Sequence, residues 1–170
     1  MVRSSSTWTS SLTPSPADPC DRYLCDNYDL EHRLIPKDPA LRARTQIFVH
    51  AAEGTLALHA IALFRFHSSI QTITHSSPEA VAAAETSMAA SIQEDLDWLE
   101  SELAASTGSF LVGGTPTAAD VMTMFSVQIL YKFKMGIDGS KSWPKVEAWL
   151  KACEGTASYK RAVERSGFVL

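Results

Sequence analysis

Cysteine is scarce in this chain. Cys20, Cys25 and Cys153 are the whole supply in 170 residues, an odd and sparse set that argues against a disulfide framework and fits a reducing compartment. Positive charge is in short supply as well: 15 Lys and Arg stand against 19 Asp and Glu, giving a net charge of -4 and a pI near 5.7. No basic field exists to hold a nucleic-acid backbone or an acidic membrane surface. Long apolar runs are missing too. The longest, "LALHAIALF" (56–64), contains His59 and meets Arg65, well short of the about 20 residues that span a bilayer. The expectation is a cytoplasmic protein with neither a nucleic-acid nor a membrane partner.

Other absences narrow the chemistry. No Gly-rich phosphate loop, nucleophile elbow or pair of catalytic carboxylates can be found, and no stretch reads as a convincing strand or repeat. His50, His59, His67 and His75 share one region, but none of them stands four residues from another, and His50 and His59 point to opposite sides of a helix at about 100° per residue. No metal site is expected. Cys20 and Cys25 have neither the spacing of a redox CxxC nor that of a zinc knuckle. No catalytic residue is assigned from the chain alone.

What is present is a helical pattern. With 45% hydrophobic and 20% charged residues, the chain can bury one sizeable core. Residues 1–19 are Ser, Thr and Pro rich without period and read as a disordered tail; a transit peptide would carry more Arg than the single Arg3. "DRYLCDNY" (21–28) is a short helical turn or two. After "IPKDP" (35–39), residues 39–66 hold no further Pro, with Ile47, Ala51, Leu58 and Ile61 on one stripe and Phe48, Ala52 and Leu63 near another, which predicts burial on two sides. Ser77, Pro78 and Glu79 open the next helix, and Val81, Ala84, Met88, Ile92, Leu96, Leu99 and Leu103 recur along it until about Gly108. A nearly all-apolar helix then runs to about Phe133. Two shorter ones, 143–154 and 156–166, are separated by Gly155. The fold class is all-α, five to six helices in a bundle.

The start of the central helix is the most sharply specified point. In "GTPTAADVMTMF" (114–125), Thr117 and Asp120 form a capping box, with Pro116 and Val121 placed to staple the corner. Any globular protein can own such a cap. Here it predicts that Asp120→Ala and Thr117→Ala cost similar stability.

The order of these parts resembles the glutathione transferases. In their C-terminal helical domain a phrase like "fl.G...t.ADi" opens the central helix, matched by "FLVGGTPTAADV". "DPALRARTQIFVHAAEGTL" (38–56) looks like the "DP..RAR...W....EGTL" of fungal members, with Phe48 where Trp is usual, and the terminal "WPKVEAWLKACEGTASYKRAV" is similar to the family's closing helices. The resemblance implies that residues 35–170 form the family's C-terminal helical domain. Residues 20–34 then hold the remnant of the last helix of a thioredoxin-like N-terminal domain and a linker. Most of that preceding domain, with its catalytic residue and glutathione grip, has no counterpart here, and Pro16 and Ala17 fall where its Glu-Ser would stand.

From the resemblance follow glutathione as co-substrate in complete members, a small electrophile as the other substrate, and no cofactor in this chain. It further implies a wall of the electrophile pocket built from Phe48, Thr55 and His59 on the first long helix and Met124 and Phe125 on the central one. As this chain stands, the expectation is an inactive or incomplete member, partnered by a second copy or by the missing domain. The alternative is a non-catalytic helical interaction module.

Overall fold

The computed structural model describes residues 20–70, 77–137 and 139–168; the expected tail 1–19 and His75 lie outside them. In chain order come α1 (Cys20–Tyr28), α2 (Pro39–Ala51), a π-helical segment (Ala52–Ala57), α3 (Leu58–Ile70), α4 (Pro78–Ala105), α5 (Ala118–Lys132), α6 (Pro144–Glu154) and α7 (Ala157–Ser166). Among the described residues there is no strand, only an isolated bridge between Phe110 and Gly113. The fold is an all-α bundle.

Local chemistry explains where the helices begin. Asp38 accepts from the amides of Ala40 and Leu41 at 3.0 and 2.9 Å, with Pro39 in the first turn, and Ser77 does the same for Ala80 at 3.1 Å ahead of Pro78. Both satisfy amides that a helix start leaves without partners. Helix α6 has no side-chain cap of its own at Trp143. Instead Glu100 of α4 reaches across to the amides of Lys145 and Val146, at 3.0 and 2.9 Å. Beside it Asp97 accepts from Lys141 Nζ at 2.7 Å and Trp143 Nε1 at 2.8 Å, and these bonds, Lys141's first, hold its carboxyl below the usual carboxylate range.

The expected stripe of α4 is the core stripe: Ile92, Leu96, Leu99 and Leu103 are buried, and Val81, Ala84 and Met88 are half-buried. Helix α5 buries nine of its fifteen residues, against α2 and the π segment on one side and α6 on the other. After α4 the chain turns so tightly that a Cβ on Gly108 would lie 2.1 Å from the Gly113 carbonyl oxygen. Only glycine fits that approach.

Residues 39–70 form one continuous rod, and here the structure departs from the expectation in two ways. First, the rod is buried on one side, not two. Thr45, Phe48, Ala52, Leu56, Ala60 and Leu63 are buried, whereas Ile47, Leu58, Ile61 and Phe64 are each more than half exposed. Second, the buried positions from Phe48 to Ala60 advance by three steps of four, which in an α-helix would overshoot by about 120°. The π segment takes in one extra residue, about 100° of that drift, so the stripe stays straight against the core. Thr55 donates its hydroxyl to the Ala51 carbonyl at 2.7 Å, a back-bond that helps satisfy a carbonyl in the widened turn.

By length and composition alone this rod would suffice to cross a membrane, although no single apolar run in the sequence would. Its buried stripe and its pairs to α4 place it in the bundle. Arg44–Glu102 at 2.8 Å, His59–Asp95 at 2.7 Å and His67–Glu85 at 2.8 Å tie the two helices along their length.

Candidate functional site

Asp120 anchors the region from which a site can be built. It is 2% exposed, yet its oxygens accept four hydrogen bonds. Oδ2 takes the Thr117 amide at 2.8 Å and the Thr117 hydroxyl at 3.0 Å, closing the capping box. Oδ1 takes the Leu111 amide at 2.9 Å and the Trp149 indole at 2.8 Å. One carboxylate thus fixes the start of α5, the loop before it and the middle of α6. The next amide, Ala118, donates to the Leu34 carbonyl at 2.9 Å, which pins the segment leading into α2 to the same corner. That segment is shaped by Asp29, whose oxygens accept the amides of Arg33, Leu34 and Ile35. Burial works to raise the Asp29 carboxyl, and the three amides together with nearby His32 outweigh it and lower it.

Held in this way, α5 exposes an apolar ridge between two grooves. Val121 and Phe125, 58% and 53% exposed, line both. The groove towards α3 has a volume of about 650 Å³ and is walled by Ala60, Ile61, Phe64, Ile129 and Phe133. The groove towards α7, about 360 Å³, is walled by Met124, Val163 and Phe168, with Gln128, Cys153 and Tyr159 among its polar contributors. Val121, the expected staple partner of Pro116, therefore faces this second groove together with Pro116 rather than closing a dry corner.

The five residues expected to form a pocket wall divide. Met124 and Phe125 line the grooves. Phe48 is 1% exposed, its ring 5.3 Å from that of Trp98, with the Arg44 guanidinium 5.7 Å from its ring centre. His59 faces α4 through Asp95, and Thr55 spends its hydroxyl on the π segment. Phe48, Thr55 and His59 line neither groove: Phe48 packs on Trp98 and His59 pairs with Asp95, both on α4.

Two further groups carry shifted acidities. Burial first, then the charges of Asp120 and Glu154, pushes the Cys153 thiol up to about 12. Burial, followed by Glu147 and Glu100, pushes the Tyr131 phenol up to about 12, and its buried hydroxyl has no hydrogen-bond partner. Both are neutral near pH 7. Sequence reasoning passed over Gln128 and Tyr159, since a polar residue inside an apolar helix and a Tyr in a short terminal helix give no local sign of meeting; in the structure Gln128 Nε2 donates to Glu154 Oε1 and to the Tyr159 oxygen, both at 2.9 Å.

An all-α bundle whose central helix is capped by a buried aspartate, with apolar grooves along that helix, defines the class of protein. Residues 78–152 match the family model "Glutathione S-transferase, C-terminal domain". Solved structures of similar fold include a glutathione S-transferase from Xylella fastidiosa (TM-score 0.68, 17% identity, 87% of this chain and 68% of that one). Two others are glutathione S-transferase 1-6 from Anopheles dirus species B (0.64, 20%, 86% and 63%) and an epsilon-class enzyme from the housefly, Musca domestica (0.62, 26%, 83% and 59%). No curated protein sequence matches significantly. Residues 78–152 are thus similar to the C-terminal domain of the glutathione S-transferases, the described fold is shared with solved members of that family, and the chain spans about 60% of the length of the insect relatives.

Proposed function

We propose that this chain serves in the conjugation of glutathione to electrophiles, and that its share of the work is to receive the electrophile along the exposed ridge of α5. The supporting observation is the pair of apolar grooves meeting at Val121 and Phe125, concave surface of the size small molecules occupy. The similar structures named above, all glutathione S-transferases, bring the reaction class.

In that chemistry the glutathione sulfur attacks as a thiolate, so a donor must stand beside it to lower its pKa. Tyr131, whose hydroxyl is buried and lines neither groove, is not placed to be that donor. The donor and the groups that hold glutathione come, in this proposal, from a further domain or a second copy set against the α3–α5 face, where Ile61, Phe64 and Phe133 are exposed. A reducing, cytoplasmic setting suits a reaction that consumes a thiol.

The test offers the purified chain 1-chloro-2,4-dinitrobenzene with and without glutathione. Saturable binding of the arene by calorimetry, with conjugation no faster than in buffer, is the expected result. Absence of saturable binding would remove the electrophile-receiving role, and conjugation above the buffer rate would place thiol activation in this chain.

A further inference from the structure

The outer face of the π segment and α3 is apolar between one acid and one base. Leu58, Ile61 and Phe64 are each more than half exposed there, with Ala57 half-buried among them and Glu53 and Arg65 exposed at the two ends. Neither charged residue has an ion pair among the described residues. Glu53, Ala57, Ile61 and Arg65 stand four residues apart, so at about 3.6 residues per turn they share one side of the rod. At about 1.5 Å per residue the acid and the base lie about 18 Å from each other, too far to pair within one chain. Their placing is symmetric. The point midway between Glu53 and Arg65 is also midway between Gly54 and Phe64, between Ala57 and Ile61, and between Leu58 and Ala60.

We propose that two copies of this chain pair through this face, their rods antiparallel about a two-fold axis at that midpoint. A two-fold contact is self-complementary: where residue i meets j, j meets i. Here Glu53 meets the partner's Arg65 and Arg65 meets the partner's Glu53. Every apolar pair sets a large side chain against a small residue: Ile61 on Ala57, Leu58 on Ala60, and Phe64 on Gly54, where no atom lies within 4 Å of a built Cβ. Ala60 and Phe64 line the α3–α5 groove, so the partner's Leu58 enters that groove, and a further domain set on the same face would compete with the second copy. A bilayer fits the face poorly, since it would surround Glu53 and Arg65 with lipid chains and give neither a partner. The pairing does not rest on the proposed reaction.

Sedimentation of the whole chain tests it with charge reversals. The mass of the parent should rise with concentration towards that of a dimer. Glu53→Arg and Arg65→Glu each turn two attractions per dimer into two repulsions, and each should raise the dissociation constant about 10-fold or more at low salt. The chain that carries both changes should recover the parent's constant, because acid and base have only exchanged ends and meet again across the two-fold axis. The same chain should pair poorly with a labelled parent, since like charges then face each other. Both positions are exposed and outside any ion pair, so all variants should melt like the parent. A parent that stays monomeric, single reversals that dimerise undiminished, or a double variant no better than the singles overturns the interface.

Discussion

Asp120 and Thr117 look interchangeable as two ends of one capping box, yet their surroundings make them unequal. Asp120→Ala strands the Thr117 and Leu111 amides and the Trp149 indole together in a buried corner, which should cost roughly 3–5 kcal/mol in denaturant melts. Thr117→Ala keeps its own amide bonded to Asp120 and loses only the hydroxyl arms, about 1 kcal/mol. Because the two changes damage the same unit, the double variant should lose less than the sum. Equal losses for the two singles would mean that the long-range bonds to Leu111 and Trp149 contribute nothing. Trp149→Phe measures one of those bonds directly and should cost about 1–2 kcal/mol.

Among the elements, the π segment makes the sharpest expectation. Deleting a residue from a helix normally rotates everything beyond it by about 100°. In the rod 39–70 the widened turn already carries one residue too many, so removing Gly54, which is exposed with no atom within 4 Å of a Cβ built on it, should convert the segment to plain α-helix and keep Phe48 in line with Ala60. We expect its melting temperature within about 5 °C of the parent. Removing the exposed Ala90 from the regular helix α4 should instead twist Met88 away from the stripe of Ile92 and Leu96 and cost several kcal/mol, roughly 3 or more. If both deletions are equally damaging, the π turn is not absorbing the drift. Gly54→Ala should raise stability by about 0.5–1 kcal/mol, since the added methyl has room and the helix gains propensity.

For the whole molecule, pH dependence should show two limbs. Asp29 and Asp97 have lowered values in the folded state, so their contribution is present above the unfolded value of about 3.9 and is lost as pH falls through the lower folded one. Asp97→Asn should flatten the acid limb below about pH 4. Cys153 is raised to about 12, so stability declines from the unfolded thiol value of about 8.5 upward until the folded value is passed. Cys153→Ala should flatten that alkaline limb, whatever its effect at neutral pH; an unchanged slope in melts between pH 9 and 12 would contradict the burial of a neutral thiol. The exposed apolar residues along α3 and α5 also predict self-association, to be read as a concentration-dependent mass in sedimentation and lowered by Phe125→Lys.

How much of this was legible in advance depends on the range of each interaction. The break before Pro39, the helix starts at Ser77 and Thr117, the stripe of α4 and the apolar nature of α5 could be read from the chain because caps and periodicity act over a few residues. So the all-α class and the order of helices were determined by sequence alone. Periodicity says that a stripe is apolar and not whether a neighbour covers it, which is why Ile47, Leu58 and Ile61 were expected inside and are exposed. Partners far apart in the chain were silent: Trp149 and Leu111 on Asp120, Asp95 on His59, Gln128 on Tyr159. Only the packing of the long rod on α4, and of α5 between the rod, α6 and α7, decided those, and with them which residues face a groove, because a side chain's partner across the bundle is set by how helices dock and not by its own neighbours in sequence.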